Sequence, residues 1–254
     1  MPIIKNTSDI NYYNILKNYL NEMDVNFSDE DVHKIIIFLN EIFNFNNVTN
    51  IVGSKTKDEI FHRHIMDCIS IFSLKKEFNQ RNLNQKTILD IGTGAGLPGI
   101  LFSILLKNSK VFLLEKNHKK VKFLSDMISR IDLDNTYIIN YPAEHVAKDK
   151  KYRESFDFIT ARAVAKINIL LELIIPFSKI NGKIFLYKSR KVFLEVEECN
   201  KFIKKLGCEI NKIEEIKVPY LEEFRAILIM DKITKTPKIF PRDLSLIKKA
   251  NMFK

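Results

Sequence analysis

The 254-residue sequence predicts an α/β fold in which a mostly parallel sheet carries helices on both faces. From about residue 86, short apolar runs of strand type alternate with segments of helical spacing, and a glycine-rich turn closes the first run. Only six residues, 219–224, separate the last two runs, which is too short for a crossover helix. We therefore expect a seven-stranded sheet with an antiparallel pair at its edge.

The N-terminal part is predicted to be helical. Apolar residues recur three and four positions apart from Ser8 to about Lys76, and Ser28 followed by three acidic residues is a helix start signal. A third helix fits residues 57–75. The predicted organisation is a helical N-terminal extension (1–80), an α/β domain (81–232) and a basic C-terminal tail (233–254).

Each element of the α/β domain follows from a change between strand-type and helix-type spacing. The predicted strands cover residues 87–91, 110–115, 136–140, 156–160, 183–187, 209–218 and 225–230. The predicted helices cover residues 100–106, 118–130, 167–177 and 192–206. This alternation places the carboxyl ends of the parallel strands along one edge of the sheet, where ligands bind in such folds.

Composition restricts the possible classes of protein. No apolar run approaches the roughly 18 residues of a membrane span, and the first residues do not resemble a secretory signal. Three scattered cysteines provide neither a disulfide framework nor a zinc site. His62, His64 and Asp67 resemble metal spacing only superficially, because helix residues two apart face different sides. We expect a soluble, cytoplasmic protein without a metal and without a membrane partner.

The charge of the chain points to an anionic partner. The net charge is +10, from 41 basic and 31 acidic residues. Residues 232–254 hold seven basic residues against Asp243, and residues 110–122 hold five lysines against Glu115. Such clusters suit contacts with nucleic acid phosphates. A merely solvated lysine-rich surface is the alternative, since the sequence is rich in Lys, Asn and Ile throughout.

A glycine cluster marks the candidate ligand site. Four of the seven glycines (92, 94, 96 and 99) lie within residues 90–99, between the first strand and its helix. Glycines at this point let backbone N–H groups approach a ligand closely. The spacing of Gly94, Gly96 and Gly99 matches a dinucleotide fingerprint, and Glu115 ends the next strand where a ribose-binding acid would stand. Two cofactors therefore fit, a dinucleotide and S-adenosylmethionine.

Charge favours S-adenosylmethionine. Asp90 at the strand end would repel a pyrophosphate but favour the ammonium and sulfonium groups of S-adenosylmethionine, and Pro98 removes a backbone donor. The antiparallel edge pair points the same way. Glu115 is expected to accept hydrogen bonds from the ribose hydroxyls, while Ala143 and Glu144, after the third strand, are weaker candidates for the adenine.

The residues 89–100, LDIGTGAGLPGI, resemble the signature of the bacterial small-subunit (16S) rRNA guanine-N7 methyltransferases, also called the glucose-inhibited division protein B family. Three further stretches match this family, namely residues 47–52 with 63–67, residues 120–124, and residues 156–163. The resemblance covers roughly residues 30–230. The N-terminal residues 1–27 and the tail after about Lys232 match poorly.

The resemblance implies a class I (Rossmann-like) methyltransferase fold and transfer of a methyl group from S-adenosylmethionine to a guanine of 16S rRNA. It places cofactor contacts on five residues of this sequence, namely Gly92, Leu97, Ala143, Glu144 and Arg162. Ala95 stands where the family usually has proline, and the stretch from 144 to 162 is slightly long. The alternatives are a methyltransferase of another RNA or of a small molecule, and a dinucleotide-binding sensor or oxidoreductase.

The substrate side shows no evident general base. Guanine N7 has an in-plane lone pair and loses no proton on methylation, so its methylation needs alignment and desolvation only. No cysteine lies near the fourth strand to serve as the nucleophile that pyrimidine-carbon methylation requires. Arg162 is a candidate for pairing with the methionine carboxylate or a phosphate, and Lys188 for contacting RNA phosphate.

Overall fold

The computed structural model describes residues 7–162 and 166–252, and its centre is a seven-stranded sheet with the order β3-β2-β1-β4-β5-β7-β6. The strands are β1 (Thr87–Ile91), β2 (Lys110–Leu114), β3 (Thr136–Ile139), β4 (Phe156–Arg162), β5 (Ser178–Lys188), β6 (Cys208–Ile216) and β7 (Arg225–Lys232). Strands β1 to β5 run parallel, whereas β7 is antiparallel to both β5 and β6. The predicted α/β class, the seven strands and the antiparallel pair are confirmed.

The last strand of the chain lies inside the sheet and not at its edge. β7 pairs with β5 on one side and with β6 on the other, and Ala226 to Met230 are all buried. A continuous apolar run suits a strand that is covered on both faces. β6 contains Asn211, Lys212 and three glutamates, so it takes the solvated edge position.

Ten α-helices flank the sheet in the described part of the chain. They are α1 (Thr7–Glu22), α2 (Asp29–Asn46), α3 (Lys57–Ile60), α4 (Asp67–Ile69), α5 (Gly99–Leu105), α6 (His118–Arg130), α7 (Ala143–Val146), α8 (Ile167–Ile174), α9 (Val192–Lys205) and α10 (Leu244–Met252). Ser28 caps α2 as predicted, because its hydroxyl accepts from Asp31 N–H and the Asp31 carboxylate accepts from Ser28 N–H. None of these helices has the length and apolar content needed to cross a membrane.

The predicted third helix, 57–75, is broken into short pieces. A π-helical segment, Phe61–Met66, separates α3 from α4, and a 3₁₀ turn, Ser70–Ser73, ends the run. Sequence spacing does not reveal the π-helical segment, because one extra residue per turn shifts the pattern only locally. The segment turns His64 and Asp67 toward the carboxyl edge of the sheet.

The N-terminal helices and the sheet share one apolar core. On one face, Ile88, Phe158 and Phe185 of the sheet belong to the same buried cluster as Phe38 and Leu39 of α2. A second cluster on the opposite face joins the sheet to α8 and α9. The apolar packing is therefore continuous across residue 80, the predicted boundary of the N-terminal extension.

The basic C-terminal segment packs on the α/β domain. Lys232 ends β7 with its ammonium buried, where it donates to the Leu206 carbonyl at 3.0 Å, and burial lowers its pKa to about 8. Arg242 donates from Nε and Nη2 to the fully buried Glu172 carboxylate, at 2.9 and 2.8 Å. Two of the seven basic residues in 232–254 are therefore engaged within the protein and not free for phosphate contacts.

The helix α10 was not predicted from the sequence. It has nine residues, and among its described side chains that of Ile247 is fully buried. So short an element gives no readable helical period. The segment is tied to α8 through Arg242 and Glu172, whose pairing the sequence does not show.

Replacing Arg242 by alanine is expected to destabilise the protein by about 3 kcal/mol. The change leaves the Glu172 carboxylate buried without its cation, which is more costly than the loss of an exposed ion pair. Urea unfolding followed by circular dichroism measures the effect, and Lys238→Ala serves as the control because Lys238 is exposed. Equal unfolding midpoints for the two variants would show that the C-terminal segment adds nothing to stability.

Candidate functional site

The glycine loop after β1 is an open backbone cradle. Gly92, Gly94 and Gly96 have φ values of +65°, +60° and +93°, in the left-handed region that favours glycine. A Cβ atom built on Gly94 would meet nothing closer than Gly92 O and Lys120 Nζ, both at 3.9 Å. The sequence therefore places glycine where the backbone requires it, and at Gly94 it also leaves space beside the backbone.

Asp90 lies beneath this loop. Its side chain is fully buried, and its Oδ2 accepts hydrogen bonds from the Thr93 hydroxyl at 2.5 Å and from Gly99 N–H at 2.9 Å. Burial raises the pKa of this carboxyl to about 6. The sequence suggested a carboxylate facing the ligand, whereas in the structure Asp90 shapes the loop. It also occupies the first N–H of α5, which is then not offered to a pyrophosphate.

Glu115 closes the next strand and faces the loop. Its Oε2 accepts from Gly94 N–H at 3.1 Å and its Oε1 accepts from Asn117 N–H at 2.9 Å. An ionised carboxylate has about four acceptor positions, so two protein donors leave capacity for further hydroxyls. Glu115 thus lies beside Gly94, and its contact with the ribose hydroxyls stays a prediction.

Of the remaining predicted cofactor residues, Leu97 lies in the glycine loop, and Ala143 and Glu144 lie after β3. Asn140, at the end of β3, donates from Nδ2 to the Glu115 carbonyl at 2.8 Å, which brings the third strand end to this site. Ala143 and Glu144, both half-buried, then begin α7. Leu97 has a buried side chain, and its N–H donates to the Thr93 carbonyl at 3.1 Å, so its side chain serves the core.

Arg162, at the end of β4, is bound to the N-terminal part of the chain. Its Nε donates to Asp67 Oδ2 at 3.0 Å, and its Nη2 donates to the Arg63 carbonyl at 2.6 Å. Nη2 also lies 2.9 Å from His64 Nδ1. The side chains of Arg162 and Asp67 are only 16% and 5% exposed. Arg162, which was predicted to contact a ligand, therefore also pairs with Asp67 of the protein itself. Sequence reasoning missed this partner.

Other contacts extend this network across the sheet edge. Arg225 Nε lies 3.4 Å from Asp67 Oδ1, and the Tyr187 hydroxyl donates to the Cys68 carbonyl at 2.6 Å. Burial and the neighbouring Arg162 lower the pKa of His64 to about 3, so its ring is neutral at pH 7. Residues 63–67 form part of the stretches that resemble the family. That resemblance is the sequence signal that could have pointed to these contacts. Asp67 joins the N-terminal helices to the carboxyl ends of the strands.

Three buried polar atoms near this edge lack a hydrogen-bond partner in the described part of the chain: Asp67 Oδ1, Asp90 Oδ1 and the Thr160 hydroxyl. Asp90 and Thr160 are register partners on β1 and β4. Buried polar groups are normally satisfied, so unpaired ones indicate a place for water or a ligand. The edge therefore carries unused hydrogen-bonding capacity beside the glycine loop.

Lys188 does not present a free ammonium at this edge. Its side chain is 11% exposed, and its Nζ lies 2.7 Å from Glu195 Oε2 on α9. The sequence prediction that Lys188 contacts RNA phosphate is therefore not supported by its surroundings. The positive charge of Lys188 is already paired with the Glu195 carboxylate within the protein.

Comparison with known proteins identifies the family. Residues 31–225 match the family model described as rRNA small subunit methyltransferase G. The chain belongs to this family. Ribosomal RNA small subunit methyltransferase G of Clostridium perfringens (strain 13 / Type A) is 31% identical over 231 residues, covering 91% of this chain and 95% of the relative. The protein of the same name from Thermotoga maritima is 31% identical over 236 residues, covering 93% and 94%.

Membership of the rRNA small subunit methyltransferase G family confirms the resemblance drawn from residues 89–100. The matched region starts and ends close to the residues 30–230 over which the sequence motifs agreed. A solved structure described as a SAM dependent methyltransferase from Aquifex aeolicus aligns with a TM-score of 0.49 and 16% identity, over 68% of this chain and 92% of that one. The family match, together with the curated relatives, makes the protein a methyltransferase.

Proposed function

We propose that this protein transfers a methyl group from S-adenosylmethionine to N7 of a guanine in small-subunit (16S) rRNA. The observation that carries the proposal is the open glycine cradle at Gly94, which faces the Glu115 carboxylate in a chain of this family. The curated relatives named above carry the name of a small-subunit rRNA methyltransferase. With ribosomal RNA as the partner, we expect the activity to lie in the cytoplasm.

The residues of the cradle suit S-adenosylmethionine. The backbone of Gly92, Gly94 and Gly96 would lie against the cofactor, and Glu115 would accept from its ribose hydroxyls. Ala143 N–H and the Glu144 carboxylate follow at the edge where the adenine would lie. When bound, S-adenosylmethionine supplies an electrophilic methyl group on a sulfonium, and the nearby carboxylates of Asp90 and Glu115 favour its positive charge.

The site fits a target that needs no base. Asp90 is engaged beneath the loop and Arg162 is engaged with Asp67, so neither is placed to remove a proton from a substrate. Burial raises the pKa of the Cys68 thiol, which keeps it protonated and unreactive. Guanine N7 attacks a methyl group with its own lone pair. The role left to the protein is to align the base and exclude water.

Two measurements test this proposal. Titration calorimetry is expected to show binding of S-adenosylmethionine and of its demethylated product, and no comparable binding of NAD, because Gly99 N–H is already taken by Asp90. Incubation with methyl-labelled S-adenosylmethionine and unmodified small subunits, followed by mapping of the label, should find it on N7 of a guanine. Tighter binding of NAD, or label on another atom or another RNA, would overturn the proposal.

A further inference from the structure

An exposed aromatic surface lies at the start of α9. Phe193 is 51% exposed and lies two positions after Lys191. Phe224, from the loop between β6 and β7, packs beside it, with 6.0 Å between the ring centroids. We call Arg190, Lys191, Phe193 and Phe224 the Phe193 surface. An exposed aromatic ring next to free cations suits a ligand with both a flat ring and a negative charge.

The cations of this surface are available to a ligand. Of the three basic residues in 188–191, Lys188 is neutralised by Glu195, whereas Arg190 and Lys191 have no carboxylate partner among the described residues. The Arg190 guanidinium stacks over the Phe224 ring, 4.6 Å from its centroid. Stacking holds the guanidinium in place and leaves its in-plane N–H donors free for a phosphate.

The surface lies on the same edge of the sheet as the glycine loop. Tyr187 pairs in register with Arg162, and Lys188 pairs with Ala226 at the start of β7. The chain then continues through Ser189 into the Phe193 surface, so it borders the ends of β4 and β5. Along α9 the exposed Glu197 and Glu198 follow one turn later and limit the surface on its far side.

We propose that the Phe193 surface binds an unpaired nucleotide of the RNA beside the target guanine. The base stacks on Phe193, and the phosphate contacts Arg190 and Lys191. Single-stranded RNA is commonly bound through aromatic stacking combined with cationic contacts to the backbone. Because this surface combines two cations with few apolar side chains, it favours RNA over a protein partner. This inference rests on the proposed function, from which it takes the RNA substrate.

A fluorescence experiment tests the stacking. The chain has no tryptophan, so the Phe193→Trp variant carries a single reporter at the proposed stacking position. We expect quenching by a short single-stranded RNA that contains one guanine, and less by the same sequence as a duplex. Ile10→Trp, on α1 at a similar exposure of 48%, is the matched control and should not respond. Anisotropy shows whether the RNA is bound. If bound RNA leaves the fluorescence of Phe193→Trp unchanged, or quenches both variants equally, the inference is overturned.

A charge experiment tests the phosphate contacts. The double variant Arg190→Gln/Lys191→Gln is compared with Lys201→Gln/Lys204→Gln, which removes the same charge from the other end of α9. The first pair should lower the slope of log affinity against log salt by about 1.4, from about 0.7 for each phosphate contact, and the second pair should not. Equal slopes for the two pairs would contradict the inference.

Kinetics separate this inference from the proposed function. Phe193→Ala is expected to raise KM for small-subunit RNA by about 5- to 100-fold, the effect of losing one stacked base. If the unchanged protein methylates this RNA normally and Phe193→Ala has the same KM, the role of the Phe193 surface is overturned. The proposed function then remains intact. Absence of methyl transfer by the unchanged protein would overturn the proposed function and the inference with it.

Discussion

Replacing Gly94 by valine is expected to abolish binding of S-adenosylmethionine while the chain remains folded. The Gly94 backbone has a φ of +60°, and a Cβ atom there would clash with no protein atom, since the nearest lie 3.9 Å away. The strain of a left-handed, β-branched residue is about 1–2 kcal/mol, which a folded domain of this size tolerates. The branched side chain would instead fill the open space beside the Gly94 backbone that the cofactor is proposed to occupy. Titration calorimetry measures binding, and circular dichroism confirms folding.

Two other glycines serve as controls for this variant. Gly53→Val adds the same side chain where no atom lies within 4 Å and should bind the cofactor normally. Gly99→Ala should impair folding, because its Cβ would lie 2.2 Å from Leu113 Cδ2 and 2.9 Å from Asp90 Oδ2. Unchanged affinity in Gly94→Val would mean that the cofactor does not approach this loop.

Replacing Asp67 by asparagine is expected to cost about 3–5 kcal/mol of unfolding free energy. The change removes the carboxylate that pairs with Arg162 at 3.0 Å and lies 3.4 Å from Arg225 Nε. A buried cation left without its counter-charge loses far more than the attraction between two solvated ions. Asparagine keeps the shape of the side chain, so the loss reports the charge and not a cavity. Urea unfolding followed by circular dichroism measures it.

The matched control for Asp67→Asn is Asp24→Asn. Asp24 pairs with Lys75 on the surface, and both side chains are exposed, so the same chemical change there should cost no more than about 1 kcal/mol. Comparable losses in the two variants would contradict the role assigned to Asp67 in holding the N-terminal helices on the sheet.

Much of the fold and the glycine loop was predicted from short-range patterns. The strand Thr87–Ile91 and the helix His118–Arg130 were predicted with the observed bounds, because turn residues and the Asn117 cap end their apolar patterns abruptly. The positive φ values of Gly92, Gly94 and Gly96 follow from the need for a tight turn between strand and helix. The order of β7 and β6 was not predicted, since strand pairing depends on which strand is better buried.

Local sequence determined where the site forms, because backbone geometry, caps and apolar spacing are decided within a few residues. Only the tertiary structure decided which side chains are free to act there. Arg162 meets Asp67 across 95 positions, and Arg242 meets Glu172 across 70. The same folding buries Asp90 beneath its loop and sequesters Lys188 against Glu195. A charged side chain seen in a sequence is available to a ligand only if no opposite charge of the protein pairs with it, and that depends on how the whole chain packs.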